Sequence, residues 1–172
     1  MEGEIKNRVA NSPLIMIDLD NFYPKGERQI IDISQWLFQG LVVREKEFRQ
    51  HLKEHNWKQY NDKYIALYCS TDAIIPGWAY LLITTYLQPE AKFVAQGDIK
   101  NLDTILLTKI IDNLDTTPYV NKPLIINGCS TNPIPDSIYT LLLQKLQPIA
   151  RSIMYGEACS SVPLYKKQFE NK

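Results

Sequence analysis

Cys69-Ser70-Thr71-Asp72-Ala73-Ile74-Ile75-Pro76 and Cys129-Ser130-Thr131-Asn132-Pro133-Ile134-Pro135 are two versions of one phrase. Aligned with a one-residue gap, they bring the text after each proline into register. Tyr80 falls on Tyr139, Leu82 on Leu141, Leu87-Gln88-Pro89 on Leu146-Gln147-Pro148, Ala91 on Ala150, Lys92 on Arg151, Gly97 on Gly156 and Asp98 on Glu157. The period is too long for a short solenoid repeat, so residues 62–98 and 122–157 read as two copies of one supersecondary unit.

Each copy reads strand, helix, strand. Runs rich in β-formers at 64–67, 93–95, 124–126 and 153–155 alternate with helical stretches at 76–88, 101–114 and 135–147. That alternation predicts right-handed crossovers and a mostly parallel sheet covered on both faces. Pro76 and Pro135 stand where a helix begins, since the N–H they lack is one of the first turn's unpaired donors. Pro89 and Pro148 stop the same helices. Gly97 and Gly156 follow the second strand of each copy, where a sharp turn favours a residue without Cβ. In the middle helix Leu102, Ile105, Leu106 and Ile110 share one face. Upstream, Leu14-Ile15-Met16-Ile17 and residues 29–37 are expected to pair as an antiparallel hairpin across Pro24-Lys25-Gly26. An amphipathic helix at 44–56 carrying Phe48 and Leu52 follows. The expected fold class is α/β: a mostly parallel sheet from a duplicated β-α-β unit, with an N-terminal antiparallel hairpin and helix, in a single domain over 1–172.

Composition narrows the function classes. Lys+Arg and Asp+Glu both number 19, so no bulk field draws the chain to nucleic acid or anionic lipid. Met1-Glu2-Gly3-Glu4-Ile5-Lys6 has neither the basic start nor the apolar core of a secretory signal. No apolar run approaches the roughly 20 residues that cross a bilayer. A cytoplasmic protein without membrane or nucleic-acid partners is expected, with a homodimer as the common assembly. Three cysteines, an odd number with no close pair, are expected to be reduced thiols.

Cys69 and Cys129 both leave the carboxyl end of a predicted strand, where α/β sheets bind ligands. With the first strands of the two copies side by side, the two sulfurs emerge together, and Cys159 reaches the same edge from the last strand. Soft thiolates suit zinc, copper(I) or an iron–sulfur cluster. Cys69, Cys129 and Cys159 are therefore candidate metal ligands, with Asp72, Asp98 or Glu157 as the fourth. Ser70, Ser130 and Ser160 each follow a cysteine and would hydrogen-bond the sulfur or cluster. The alternatives are a thiol-based sulfur carrier or transferase, and a non-catalytic interaction module whose cysteines fill the core. Other candidates are weaker. His51 and His55 share a helical spacing, but Glu54 is misplaced for a zinc-protease motif. Asp18 and Asp20 lie on one side of an extended segment, as strand-end acids do. No arginine follows Cys69 or Cys129 closely enough for a phosphatase loop.

Trp78-Ala79-Tyr80, Gly128-Cys129-Ser130, Ile5-Lys6-Asn7-Arg8-Val9-Ala10-Asn11-Ser12 and Ser152-Ile153-Met154-Tyr155-Gly156-Glu157-Ala158-Cys159-Ser160-Ser161-Val162-Pro163-Leu164-Tyr165 together resemble the DUF2480 family, an uncharacterised group found chiefly in Bacteroidetes. The resemblance covers nearly the whole chain and carries over no catalytic residue. It implies partners among the proteins that assemble iron–sulfur clusters.

Overall fold

The computed structural model describes residues 14–157 and 160–168. In chain order they form β1 (Ile15–Ile17), β2 (Arg28–Asp32), α1 (Glu45–Glu54), β3 (Tyr64–Tyr68), α2 (Gly77–Leu87), β4 (Phe93–Gln96), α3 (Ile99–Asp112), β5 (Pro123–Ile126), α4 (Asp136–Leu146), β6 (Ser152–Glu157) and β7 (Ser160–Lys166). Short 3-10 turns lie at Leu19–Phe22, Ile33–Trp36, Trp57–Tyr60 and Thr117–Tyr119. The chain divides into two compact units, one running from Pro24 to Leu106 and the other made of the residues before and after it. Among the described residues no helix is long and apolar enough to cross a membrane.

The unit from Pro24 to Leu106 holds a parallel three-stranded sheet in the order β2-β3-β4. Successive side chains of β3 point to opposite faces. Ile65 and Leu67 join Ile31, Phe48 and Leu52 and the α2 residues Ala79, Ile83 and Leu87 in one core. Tyr64 and Ala66 join Ala95, Leu102 and Leu106 in another. Burial on both faces explains why Ile65, Ala66 and Leu67 run on without a polar break. Arg28 Nε donates to the buried Asp103 Oδ1 at 3.0 Å, so the buried charge of α3 in this unit is paired.

The other unit holds a four-stranded sheet in the order β1-β5-β6-β7, in which only the β6–β7 pair is antiparallel. Ile17, Leu124, Ile126 and Ile153 pack against Leu107 and Ile111 of α3 and Ile138, Leu142 and Leu146 of α4. Strand register sets Met16, Ile125, Met154 and Pro163 in a row across all four strands. Alternation along each strand puts that row on the face away from this core.

The duplication runs deeper than the quoted phrase. Met16-Ile17-Asp18-Leu19 and Ile30-Ile31-Asp32-Ile33 both end a strand and open a 3-10 turn. Asp18 caps its turn by accepting the Asp20 N–H at 2.9 Å, and Asp32 accepts the Ser34 N–H at 3.0 Å. Asp62 and Asn121 enter the central strands at the same φ of 56°. Their neighbours match as well: the Lys92 N–H donates to Lys63 O, and the Arg151 N–H to Lys122 O, both at 2.9 Å. Each copy thus spans a strand, a capped turn, a helix and a β-α-β unit, and one copy lies within the sequence of the other.

The expected antiparallel hairpin is corrected by this arrangement. β1 runs parallel to β5, and β2 runs parallel to β3. The reason lies in burial: Ile17 and Ile31 belong to different cores, and the segment joining the strands contains a 3-10 turn in place of a tight hairpin loop. Helix α3 also buries Leu107 and Ile111 besides Leu102 and Leu106, a wider apolar surface than the single expected face. β7 was not expected, because Pro163 breaks its β pattern; an edge strand tolerates the missing N–H.

Candidate functional site

In both units a carboxylate from the first strand or its turn holds the loop that leaves the central strand. Asp32 accepts the Ser70 N–H at 3.1 Å and the Ser70 hydroxyl at 2.6 Å. Thr71 Oγ1 then donates to Gly40 O at 2.6 Å. Partial burial pushes the Asp32 carboxyl up, but the Ser70 and Ser34 hydrogen bonds outweigh it and hold the pKa below the ordinary value. Asp20 does the same for the loop after β5. Its Oδ2 accepts the Thr131 N–H at 2.6 Å and the Thr131 hydroxyl at 2.8 Å. Its Oδ1 accepts the Asn132 N–H at 3.0 Å and Asn132 Nδ2 at 2.9 Å. The Thr131 N–H is the largest cause of a pKa lowered to about 2, with desolvation opposing it and the remaining hydrogen bonds adding to it. Both groups are permanent acceptors near neutral pH and order their loops.

The three-cysteine metal or iron–sulfur site is overturned. Among the described residues no three His, Cys, Asp or Glu side chains are grouped to hold a metal ion. The premise of neighbouring first strands fails too, because β3 lies between β2 and β4 while β5 lies between β1 and β6. Cys69 is half-buried, with Sγ 3.5 Å from Thr71 O and 3.4 Å from Thr71 Oγ1. Cys129 is exposed in a loop braced by Asn127, which accepts the Cys129 N–H at 3.1 Å and donates to Cys129 O at 3.0 Å. That exposure removes the reading of a buried core cysteine for Cys129, whereas Cys69 packs partly against the core of its unit. The sulfur-carrier alternative rests on the same thiols and gains nothing from this geometry. Cys159 lies outside the described residues.

Several of the other candidate residues have structural partners. Asp98 Oδ1 accepts the Asn101 N–H at 2.8 Å at the start of α3. Glu157 pairs with Ser160 in the β6–β7 ladder, and Asp72 is exposed in the loop before α2. Ser70 is held by Asp32, and Ser130 Oγ donates to Asn132 O at 3.0 Å. His55 Nε2 lies 2.8 Å from the Tyr60 hydroxyl, with its ring stacked on Tyr60 and edge-on to Trp36 and Trp57. Burial lowers its pKa, as a structural histidine among aromatics requires, while His51 is exposed on α1.

A groove of about 580 Å³ opens at the amino end of β5 and β6, beside the last residues of β7. Pro123, Met154, Pro163 and Tyr165 supply apolar lining, while Arg151, Lys166 and Lys167 supply positive charge. No carboxylate occurs among the described residues that line it. Backbone bonds set Arg151 beside Lys167, whose N–H donates to Arg151 O, and beside Lys122, outside the lining, whose O accepts the Arg151 N–H, each at 2.9 Å. Among the described residues none of Lys122, Arg151, Lys166 and Lys167 is in a salt bridge.

The other copy supplies an internal comparison. Its Lys63 matches Lys122 and donates to Glu27 at 2.8 Å and Gln29 at 3.0 Å. Its Lys92 matches Arg151 and lies over the Tyr64 ring. Sequence reasoning passed over the groove, although the signal was present: Lys92 aligned with Arg151, and Lys166-Lys167 followed an apolar run.

No curated protein and no solved structure matches the chain. A family profile does match it, over residues 3–167, so the chain belongs to the family described as "Protein of unknown function (DUF2480)".

Proposed function

We propose that this protein is a cytoplasmic binding module that receives an extended acidic segment of a partner protein in the groove lined by Pro123, Arg151, Met154, Pro163, Tyr165, Lys166 and Lys167. One observation carries the reading: Arg151, Lys166 and Lys167 line one groove, with no carboxylate among its described lining residues and no salt bridge to any of the three among the described residues. A cation row beside an apolar floor is complementary to a chain that alternates carboxylates with apolar side chains. Such a ligand forms charge-assisted hydrogen bonds at the rim and buries apolar area against Met154 and Pro163. Nucleic acid fits less well. Its single strands are held on exposed aromatic platforms, and the aromatic ring here, Tyr165, packs partly against the core. Chemistry at the strand ends is also disfavoured, since Asp20 and Asp32 are engaged as loop acceptors.

The test is fluorescence anisotropy with a labelled peptide of alternating glutamate and leucine. Saturable binding that weakens with added salt is expected, as is a loss of roughly tenfold or more in Arg151→Glu combined with Lys167→Glu. Equal binding by the reversed-charge variant would reject the groove as the site.

A further inference from the structure

The unit from Pro24 to Leu106 carries an apolar rim that the duplicated copy lacks. Between the cysteine and the proline that precedes the helix this copy has one residue more than the other, within Ala73-Ile74-Ile75, and Ile74 is 91% exposed. Beside it a groove of about 430 Å³ is lined by Leu41, Val42, Val43, Ala73 and Pro76, with Asp72 at its edge. Pro76 is the N-cap of α2, whose first turns expose Trp78 and Leu81, the latter at 70%. In register, Trp78 falls on Ser137 and Leu81 on Thr140. The fold therefore accepts polar residues at both positions; Trp78 meets Phe48 edge-on and carries the Arg49 guanidinium over its ring, whereas packing within the unit leaves Leu81 largely exposed.

Helix α2 has a second anomaly. Its 11 residues, Gly77-Trp78-Ala79-Tyr80-Leu81-Leu82-Ile83-Thr84-Thr85-Tyr86-Leu87, include no charged side chain, whereas α4 carries Asp136 and Lys145. A surface helix ordinarily presents charged and polar residues to water, and a helix that is hydrophobic all round is buried. The exposed stripe of α2 runs Gly77, Trp78, Leu81 and Thr85, and around Gly77 there is open space for a neighbouring side chain.

We infer that the Leu41, Val42, Ile74, Trp78 and Leu81 surface is where two copies of this chain meet, with α2 packing antiparallel to α2 of its partner across a two-fold axis. An uncharged stripe is its own complement, and an isologous contact requires self-complementarity. The chain's acidic and basic residues balance, so two copies approach without net repulsion. Area supports the same occupant. Exposed side chains of this number amount to on the order of 600 Å² per copy, the upper end of what a monomer leaves uncovered. With the polar rim added, this approaches the ~800 Å² per partner of a standard interface. A membrane is a poorer match, because Asp72 borders the groove and the cation beside the patch, Arg49 over the Trp78 ring, is already paired with Glu45, where an anionic surface calls for unpaired lysine and arginine.

Sedimentation velocity over a concentration series of the full chain tests the inference. Wild type is expected to sediment with the mass of two chains at micromolar concentration. Ile74→Ser combined with Leu81→Thr, the latter copying the other repeat, is expected to sediment as one chain. Both sites are exposed, so circular dichroism of the variant should match wild type; a second variant, Leu81→Asp, introduces like charges across the two-fold axis and should dissociate the pair as well. A wild type that stays monomeric overturns the inference, including the case in which that monomer instead co-sediments with anionic vesicles. A dimer that survives both variants overturns it too.

Discussion

Asp20 Oδ2 accepts the Thr131 N–H at 2.6 Å across 111 positions of sequence, tying the loop that follows β5 to the turn that follows β1. Folding lowers the Asp20 pKa from 3.8 to about 2. A group lowered in the folded state stabilises it above the unfolded pKa and loses that contribution as pH falls through the folded one. The Asp20 contribution should therefore be complete above about pH 4 and fade between roughly pH 4 and 2. Urea unfolding of wild type and Asp20→Asn across that range should show a stability difference that shrinks toward pH 2. A difference that does not change with pH would contradict the ionised-acceptor role.

Asp32 serves three donors at once: the Ser34 N–H, the Ser70 N–H and the Ser70 hydroxyl. Asp32→Ala removes the cap of the Ile33–Trp36 turn together with the loop restraint. The expected loss is about 1–2 kcal/mol in urea unfolding, given the partial exposure of the group. Ser70→Ala should cost less, because it leaves both backbone donors satisfied.

Gly97 and Gly156 share a φ of 120°, a conformation that penalises any side chain. Their surroundings differ. A Cβ at Gly97 would meet the Asn101 side-chain nitrogen at 2.6 Å, whereas one at Gly156 would meet the Ser160 backbone oxygen at 2.5 Å. Gly97→Ala and Gly156→Ala should each destabilise by about 1–3 kcal/mol, with Gly156→Ala the worse because a backbone atom of the β6–β7 hairpin cannot swing away. Equal losses in thermal unfolding would show that φ alone sets the cost.

The Arg28–Asp103 pair lies where solvent hardly reaches, with the Asp103 side chain 2% exposed. Asp103→Ala deprives a guanidinium of its counter-ion in a low-dielectric setting and should cost about 3–5 kcal/mol in chemical denaturation. A double change of Arg28→Met with Asp103→Leu should recover most of that loss.

The duplicated β-α-β unit was legible because each copy repeats its own punctuation: Pro76 and Pro135 open helices, Pro89 and Pro148 follow them, and Gly97 and Gly156 take the same positive φ. The first strands were misjudged for a physical reason. Ile15–Ile17 is three residues long, and neither it nor β2 carries a local mark of its partner, which lies 109 residues away for Ile15 and Leu124. Three Cys-Ser pairs suggested one site, but a motif at each strand end says nothing about which strands are neighbours. The groove escaped notice because its cations come from two strand ends, the start of β6 and the end of β7, and Arg151 and Lys167 meet only through the backbone bond that joins those ends.

The most direct measurement is a ¹H–¹⁵N correlation titration of the full chain with the alternating glutamate–leucine peptide. The account predicts shift changes concentrated on Arg151, Ser152, Met154, Tyr165, Lys166 and Lys167, with the loops around Cys69 and Cys129 unmoved. Changes confined to those two loops, or none at saturating peptide, would contradict it.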